Sequence, residues 1–297
     1  MAPKHHSGFS SGRTVKAKDL HYIQRTADAE LLAHCRAGRP AYILHSPQMG
    51  KSSLIAHTAE NLNATGHHAV LIDLSQFPLP PREEEWFDKI LGILDDSLDL
   101  ETDAATWCEH HQALPPDSRL MRFVTEVVLP AITSPLILFI DEIERTEMLP
   151  FREHFFTWLS TLYEARATDS NFYRLSFVVC GVATPSQLIP PGGPLVFQWS
   201  HRVVLSDFTL QEILPLAEGL SLPTDTAIEA VTWIFRWTNG HPYLTQLLCQ
   251  LLEEQHRTAW LESEVDDCVQ HFIHSPQGLR EPNLQLVRTA LTEPDLD

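Results

Sequence analysis

Apolar positions follow two regimes along the chain. Up to residue 205, short and mostly apolar runs alternate with stripes at helical spacing; beyond it the pattern is helical alone. The runs are residues 41–44, 69–74, 136–140, 175–182 and 203–205. Runs without polar alternation predict strands buried on both faces of a parallel sheet. Helical stripes lie between them: Trp86, Ile90, Ile93, Leu94 and Leu98; Leu120, Phe123, Val124, Val127 and Val128; Phe155, Phe156, Trp158, Leu159 and Leu162. A capped helix is expected from Thr26, closing at Gly38, with Pro40 forcing extension into the first strand. Residues 107–116 read as a turn and loop. Helices are expected again over 227–237, 242–256 and 262–272. The pattern predicts an α/β fold with a mostly parallel five-stranded sheet over residues 13–206. A smaller all-helical domain follows over 207–297, and residues 1–12 are polar and expected to be loose.

The loop after the first run carries the chemistry. Residues 45–53 read His-Ser-Pro-Gln-Met-Gly-Lys-Ser-Ser and lead into a helical pattern. This is the order strand, phosphate loop, helix. Backbone N–H groups from Met49 to Ser53 would cradle an anion at the positive end of the helix dipole. Gly50 permits close approach of the backbone, Lys51 places an ammonium on the β/γ oxygens, Ser52 would hold Mg²⁺, and Ser53 adds a donor. His45 stands where the pattern GxxxxGK followed by Ser or Thr has its first glycine, which predicts a slightly strained loop. Pro47 removes an N–H that the cradle does not need.

A Gly-Lys-Ser triplet is common by chance, so its context decides. The run 136–140 ends in Asp141-Glu142, at the carboxyl end of a buried strand where open α/β sheets bind ligands. Asp141 would bind Mg²⁺, and Glu142 would orient and polarise the attacking water. Asp73, at the end of another run, reads as a local capping group.

Charge and cysteine content narrow the partners. Acidic residues outnumber Lys plus Arg by 39 to 21, for a net charge of -18, which disfavours sequence-independent nucleic-acid binding. The basic residues near the amino terminus, Lys4, Arg13, Lys16 and Lys18, are few. The five cysteines form no CxxC pair, and neither a signal-peptide pattern nor an apolar run near twenty residues is present. A reduced, cytoplasmic protein without membrane contact is expected.

Four features carry two readings each. Thr184, just past the fourth run, either senses a γ-phosphate or caps a helix. Leu20, His21, Tyr22 and Ile23 either wrap a nucleotide base or form an apolar strap on the core. Residues 108–111, Cys-Glu-His-His, are half of a metal site or ordinary surface groups. The corner at Gly240-His241-Pro242 stops one helix and starts the next, and can also press on a nucleotide base.

Taken together, Tyr22-Ile23-Gln24-Arg25, Gln48 to Leu54, Phe139-Ile140-Asp141-Glu142-Ile143, Gly181-Val182-Ala183-Thr184-Pro185, Asp207-Phe208-Thr209, Gly240 to Gln246 and Trp260 to Val265 resemble the bacterial AAA-like ATPase domain of the STAND signalling class. The resemblance covers about residues 9–290. It implies a P-loop NTPase core, a three-layer α/β/α sandwich with a strand inserted between the two motif strands. It also implies a helical lid carrying Pro242, and a slow ATP/ADP switch with Mg²⁺. Effector, repeat or sensor domains commonly adjoin such a core. This chain instead ends at Asp297, just past residues 283–288, as a fragment or a stand-alone regulator working on a protein partner would. An arginine touching the γ-phosphate is sought among Arg152, Arg166 and Arg174. Two further readings stay open: a non-hydrolysing scaffold that holds nucleotide, and an ATP-dependent oligomer acting as a remodelling motor. A small-molecule kinase lacks a readable acceptor site.

Overall fold

The computed structural model describes Phe9 and residues 22–285. The loose amino terminus, its basic residues, Leu20, His21 and residues 286–288 lie outside the described part. Contacts divide the chain into two compact units, Gln24–Ser206 and a helical unit built from Asp207 onward with Ile23 and Phe9.

In chain order the first unit contains α1 (Thr26–Arg36), β1 (Ala41–Leu44), α2 (Lys51–Ala64), β2 (His68–Asp73), α3 (Glu83–Leu98), α4 (Ala104–His110) and α5 (Pro116–Phe123). After a π-helical turn at Val124–Val128 come α6 (Leu129–Ala131), β3 (Leu136–Asp141), α7 (Arg152–Glu164), β4 (Leu175–Gly181), α8 (Pro185–Leu188), α9 (Val196–Trp199) and β5 (His201–Arg202). The sheet order is β2-β3-β4-β1-β5 and every pairing is parallel. β4 is therefore the strand inserted between β1, which leads to the phosphate loop, and β3, which ends in Asp141.

Side-chain alternation builds the layers. Leu136, Leu138 and Ile140 of β3 join a core with α3, α5 and α7, whereas Ile137 and Phe139 join a second core with α1 and α2. Both β3 and β4 are buried along their whole length, as their mostly apolar sequences lead one to expect, with Asp141 and Ser176 the polar residues among them.

Three elements depart from the pattern-based expectation. β5 is His201–Arg202, just ahead of residues 203–205, because an edge strand carries exposed polar residues that an apolar-run criterion passes over. Val203 still donates its N–H to Tyr42 O at 2.9 Å, and Val203 and Leu205 are buried. The expected loop at 107–116 holds most of α4, capped by Asp103, whose carboxylate accepts from Ala105 N at 3.1 Å. The helix expected through Val128 widens to a π turn ahead of Pro130, which has no N–H for Glu126 O and whose ring crowds that carbonyl.

The helical unit contains α10 (Leu210–Ile213), α11 (Thr224–Thr238), α12 (Pro242–Glu253) and α13 (Glu262–His274). Thr209 caps α10 and pairs with Glu212 in a capping box. Between α11 and α12 the chain turns through left-handed Asn239 (φ 48°) and Gly240 (φ 81°), and Pro242 starts α12 in its first turn. A Cβ on Gly240 would stand 1.9 Å from Phe208 O, and Phe208 N donates to Gly240 O at 2.9 Å. Gly240→Ala is expected to destabilise this unit by at least about 2 kcal/mol, from left-handed strain and the clash. A thermal melt that leaves the midpoint unchanged would contradict that account.

Candidate functional site

The site is assembled at the carboxyl end of the sheet from three loops. The first, residues 45–50, turns at Pro47-Gln48 and reaches α2 through Gly50, whose φ of 82° is left-handed. Met49 is buried in the core beneath the loop and anchors it. His45 is not among the positive-φ residues; the left-handed non-glycine residue of the loop is Gln48, at φ 63°. The strain expected at His45 is therefore placed three residues later. Instead, His45 N donates to Gly181 O of β4 at 3.1 Å, which keeps it extended along the sheet.

Lys51 opens α2 and is only 8% exposed. Its Nζ donates to His45 O at 2.9 Å and Ser46 O at 2.7 Å, so the ammonium lies across the amino end of its own loop. Burial lowers its pKa, opposed by the negative field of Glu144, Asp141 and Glu142. Ser52 and Ser53, in the first turn, are half-buried. The N–H groups of this turn have no carbonyl four residues back within the helix.

The second loop follows β3. Asp73 pairs with Asp141, and Ile140 with Val179, while Ile43 of β1 pairs with Cys180. Asp141 is thus level with Cys180 and with Ile43, two strands from β1, or roughly 10 Å at the usual strand spacing. Asp141 is 8% exposed, and its Oδ1 accepts from Glu142 N at 2.9 Å. Glu142 has φ 59° and ψ 42°, a left-handed conformation costing a non-glycine residue about 1–3 kcal/mol. Burial, the Glu144 carboxyl hydrogen-bonded to it, and the negative charges of Glu144, Asp141 and Asp73 push the Glu142 carboxyl up to about 7. Asp73 accepts from Ser75 N at 2.9 Å and caps a short turn.

The third loop follows β4. Thr184 is exposed and starts α8; its Oγ1 and N donate to Gln187 Oε1 at 2.8 and 2.7 Å. Its hydroxyl is engaged in this capping box. Tyr22, Ile23 and Pro242 belong to the helical unit, where Ile23 is buried in the core, Pro242 is buried at the start of α12 and Tyr22 is half-buried. The structure thus brings together Met49 to Ser53, Asp141 and Glu142 within one unit.

Two of the three candidate arginines stand elsewhere. Arg166 donates to Leu175 O, the first residue of β4, and lies over the Tyr163 ring at 4.8 Å. Arg174 donates to Ile132 O and, at 3.0 Å, to Leu129 O, ahead of β3. Both tie down the amino ends of strands, opposite the phosphate loop. Arg152 donates to Gln187 O at 3.1 Å and lines a cavity of about 390 Å³ with the loop 190–194, which contains none of the site residues.

Sequence reasoning missed Arg25 and Glu144. Arg25, 7% exposed, caps α1; its N–H donates to Asp28 Oδ2 at 2.8 Å and its Nη1 to Met49 O at 2.9 Å. Asp28 also meets His57 of α2 at 3.2 Å, so α1, the loop and α2 are tied together. The Arg-x-x-Asp spacing at a helix start is a local signal for the cap, but not for the reach to Met49. Glu144 accepts from Val182 N at 3.1 Å.

The donor set fits a Mg²⁺-bound polyphosphate. The Ser52 hydroxyl and the Asp141 carboxylate are hard oxygen ligands, and Gly50, left-handed at the head of α2, brings the backbone of the helix's first turn close to where an anion would sit. Among the described residues no group of three or more His, Cys, Asp and Glu could hold a metal by itself. In the stretch 108–111, Cys108 Sγ donates to Asp88 and His111 stacks on Trp107, so the half-site reading is not supported. No helix among the described residues is long and apolar enough to cross a membrane.

Comparison with known proteins follows the same lines. Residues 10–269 match the family described as AAA-like domain. An uncharacterized WD repeat-containing protein of Synechocystis sp. is 36% identical over 250 residues, covering 83% of this chain and 21% of that protein. The chain thus spans about a fifth of that relative's length. The Walker-type ATPase PABY2304 of Pyrococcus abyssi superposes with a TM-score of 0.62 at 14% identity, over 94% of this chain and 79% of that one. The Aeropyrum pernix ORC2 protein, solved in ADPNP and ADP complexes, gives 0.56 at 13% identity, over 88% and 72%. At these identities the structural likeness is one of fold.

Proposed function

The chain belongs to the AAA-like domain family, and on that premise we propose that it binds Mg²⁺·ATP at residues 45–53 and hydrolyses it slowly, as a nucleotide switch of the STAND kind. One observation carries the reading: Lys51, opening α2 behind left-handed Gly50 with its ammonium on His45 O and Ser46 O, stands at the same end of the sheet as Asp141 and Glu142, which close a strand two places away. A cation beside the cradle and a carboxylate pair across it are what binding and then cleaving a polyphosphate require. The ADPNP and ADP complexes of the ORC2 protein agree with adenine nucleotide as the ligand.

In this reading Lys51 leaves the carbonyls of His45 and Ser46 for the β/γ oxygens, and N–H groups from Met49 to Ser53 hold the phosphates. Ser52 and Asp141 would hold Mg²⁺, which would neutralise phosphate charge when bound. Glu142 orients a water against the γ-phosphorus and takes its proton as the bond to ADP breaks. Its left-handed backbone is strain of the kind stored at functional sites. Thr184 would report the γ-phosphate by exchanging its bond to Gln187, and Tyr22, Ile23 and Pro242 stay the candidates for contact with the base. The lid position would then depend on which nucleotide is bound, passing the state to an effector domain or protein partner. The WD repeats named in the Synechocystis relative are a neighbour of that type.

The placement of Arg166 and Arg174 at the far ends of strands favours a second reading, a scaffold that binds nucleotide without cleaving it unless a second copy supplies an arginine. A single-turnover assay with protein in excess over radiolabelled ATP, with and without EDTA, tests both. Mg²⁺-dependent binding followed by slow phosphate release is expected. Tight binding with ATP intact over hours selects the scaffold, and absence of binding by cooperatively folded protein rejects the site.

A further inference from the structure

We propose that Glu144 is a positioning residue, which sets Glu142 against the attacking water by tying the turn after β3 to the head of β4. The proposal rests on the reading of Glu142 as the water-polarising group, and goes beyond it by assigning the device that holds that group in place.

Three contacts support it. Glu144 Oε2 accepts from Val182 N at 3.1 Å, across 38 residues of sequence. Gly181 is the residue that lets it through, since a Cβ there would stand 2.3 Å from Glu144 Oε2 and 2.7 Å from Ile143 Cγ2. Gly181 O in turn accepts from His45 N at 3.1 Å, and His45 O accepts from Lys51 Nζ at 2.9 Å. Glu144 is thus the link that joins the turn bearing Glu142 to the strand that also holds the start of the phosphate loop.

That turn needs an external tie. Glu142 occupies a left-handed conformation, and such strain persists only when surrounding contacts over-determine it. The first tie is local, with Asp141 Oδ1 accepting from Glu142 N and Glu142 O from Arg145 N at 3.0 Å; the second, Glu144 accepting from Val182 N, reaches outside the turn. Without the second tie the turn can relax and carry the Glu142 carboxylate away from the water. A displacement near 1 Å in a reacting group costs roughly a hundredfold in rate.

The test compares Glu144→Ala, Glu144→Gln, Gly181→Ala and Glu142→Gln in ATP affinity, single-turnover hydrolysis and thermal melting. Glu144→Ala should lower the hydrolysis rate constant by roughly a hundredfold while leaving Kd within about threefold of the parent, the split expected of lost positioning. Glu144→Gln should recover most of the rate, because its amide oxygen still accepts from Val182 N. Gly181→Ala should reproduce Glu144→Ala by pushing the carboxylate out. A normal rate in folded Glu144→Ala, or a Gln variant as slow as the Ala variant, overturns the inference. Unimpaired hydrolysis by Glu142→Gln overturns instead the reading of Glu142 on which it rests, and the two failures are distinct.

Discussion

Replacing Lys51 with Met is expected to weaken ATP and ADP binding by at least about a hundredfold. The side chain is almost fully buried, and its ammonium is parked on two carbonyls of its own loop, so it is already within the cradle before a ligand arrives. Charge-assisted hydrogen bonds are worth about 1.5–3 kcal/mol each. Two of them to phosphate, at about 1.4 kcal/mol per tenfold, account for the loss. The electrostatic setting adds to it, because Asp141 and Glu142 then face the polyphosphate without their counter-charge. Met keeps the aliphatic stem and its packing but leaves His45 O and Ser46 O without their donor, so the variant should fold yet melt somewhat lower than the parent. Arg should not rescue, since a planar guanidinium does not reproduce the compact point charge of an ammonium. Calorimetric titration measures the effect; parental affinity in the folded Met variant would remove Lys51 from the site.

The second large effect is expected at Glu142. Glu142→Gln should slow single-turnover hydrolysis by about 10²- to 10⁴-fold, the usual contribution of a general base. Affinity for ATP should be equal to or tighter than that of the parent. The carboxyl is raised to about 7 by burial, by its bond to Glu144, and by the charges of Glu144, Asp141 and Asp73. A neutral amide relieves that like-charge repulsion and removes one negative charge facing the phosphates. The variant should therefore melt no lower than the parent. Weakened binding together with slowed cleavage would show that Glu142 holds the nucleotide rather than acting on water.

Much of the fold was readable because its signals are local. The unbroken run 136–140 marked a strand buried on both faces, and β3 is buried at every position. The helical stripe of Trp86, Ile90 and Leu94 became the inner face of α3. The corner at Gly240 was readable from glycine followed by proline, and the close Phe208 backbone explains why glycine stands there. Where the signal was polar or confined to a cap, it was passed over: β5 is two exposed residues at a sheet edge, and α4 rests on the Asp103 cap. The strain assigned to His45 came from comparing motif positions. The backbone instead places left-handed geometry at Gln48 and Gly50.

By itself the amino-acid sequence determined the kinds of element, their order, and the pairing of a phosphate loop with an acidic strand end. Each of those depends on residues adjacent along the chain, through side-chain period, cap chemistry and loop composition. The family resemblance implied a strand between the two motif strands, which β4 is; tertiary structure alone decided that Arg25 reaches Met49 O and that Glu144 meets Val182 N through the gap at Gly181. Strand order and register set those meetings between segments far apart in the chain, and no local pattern encodes which distant backbone a carboxylate or guanidinium will find.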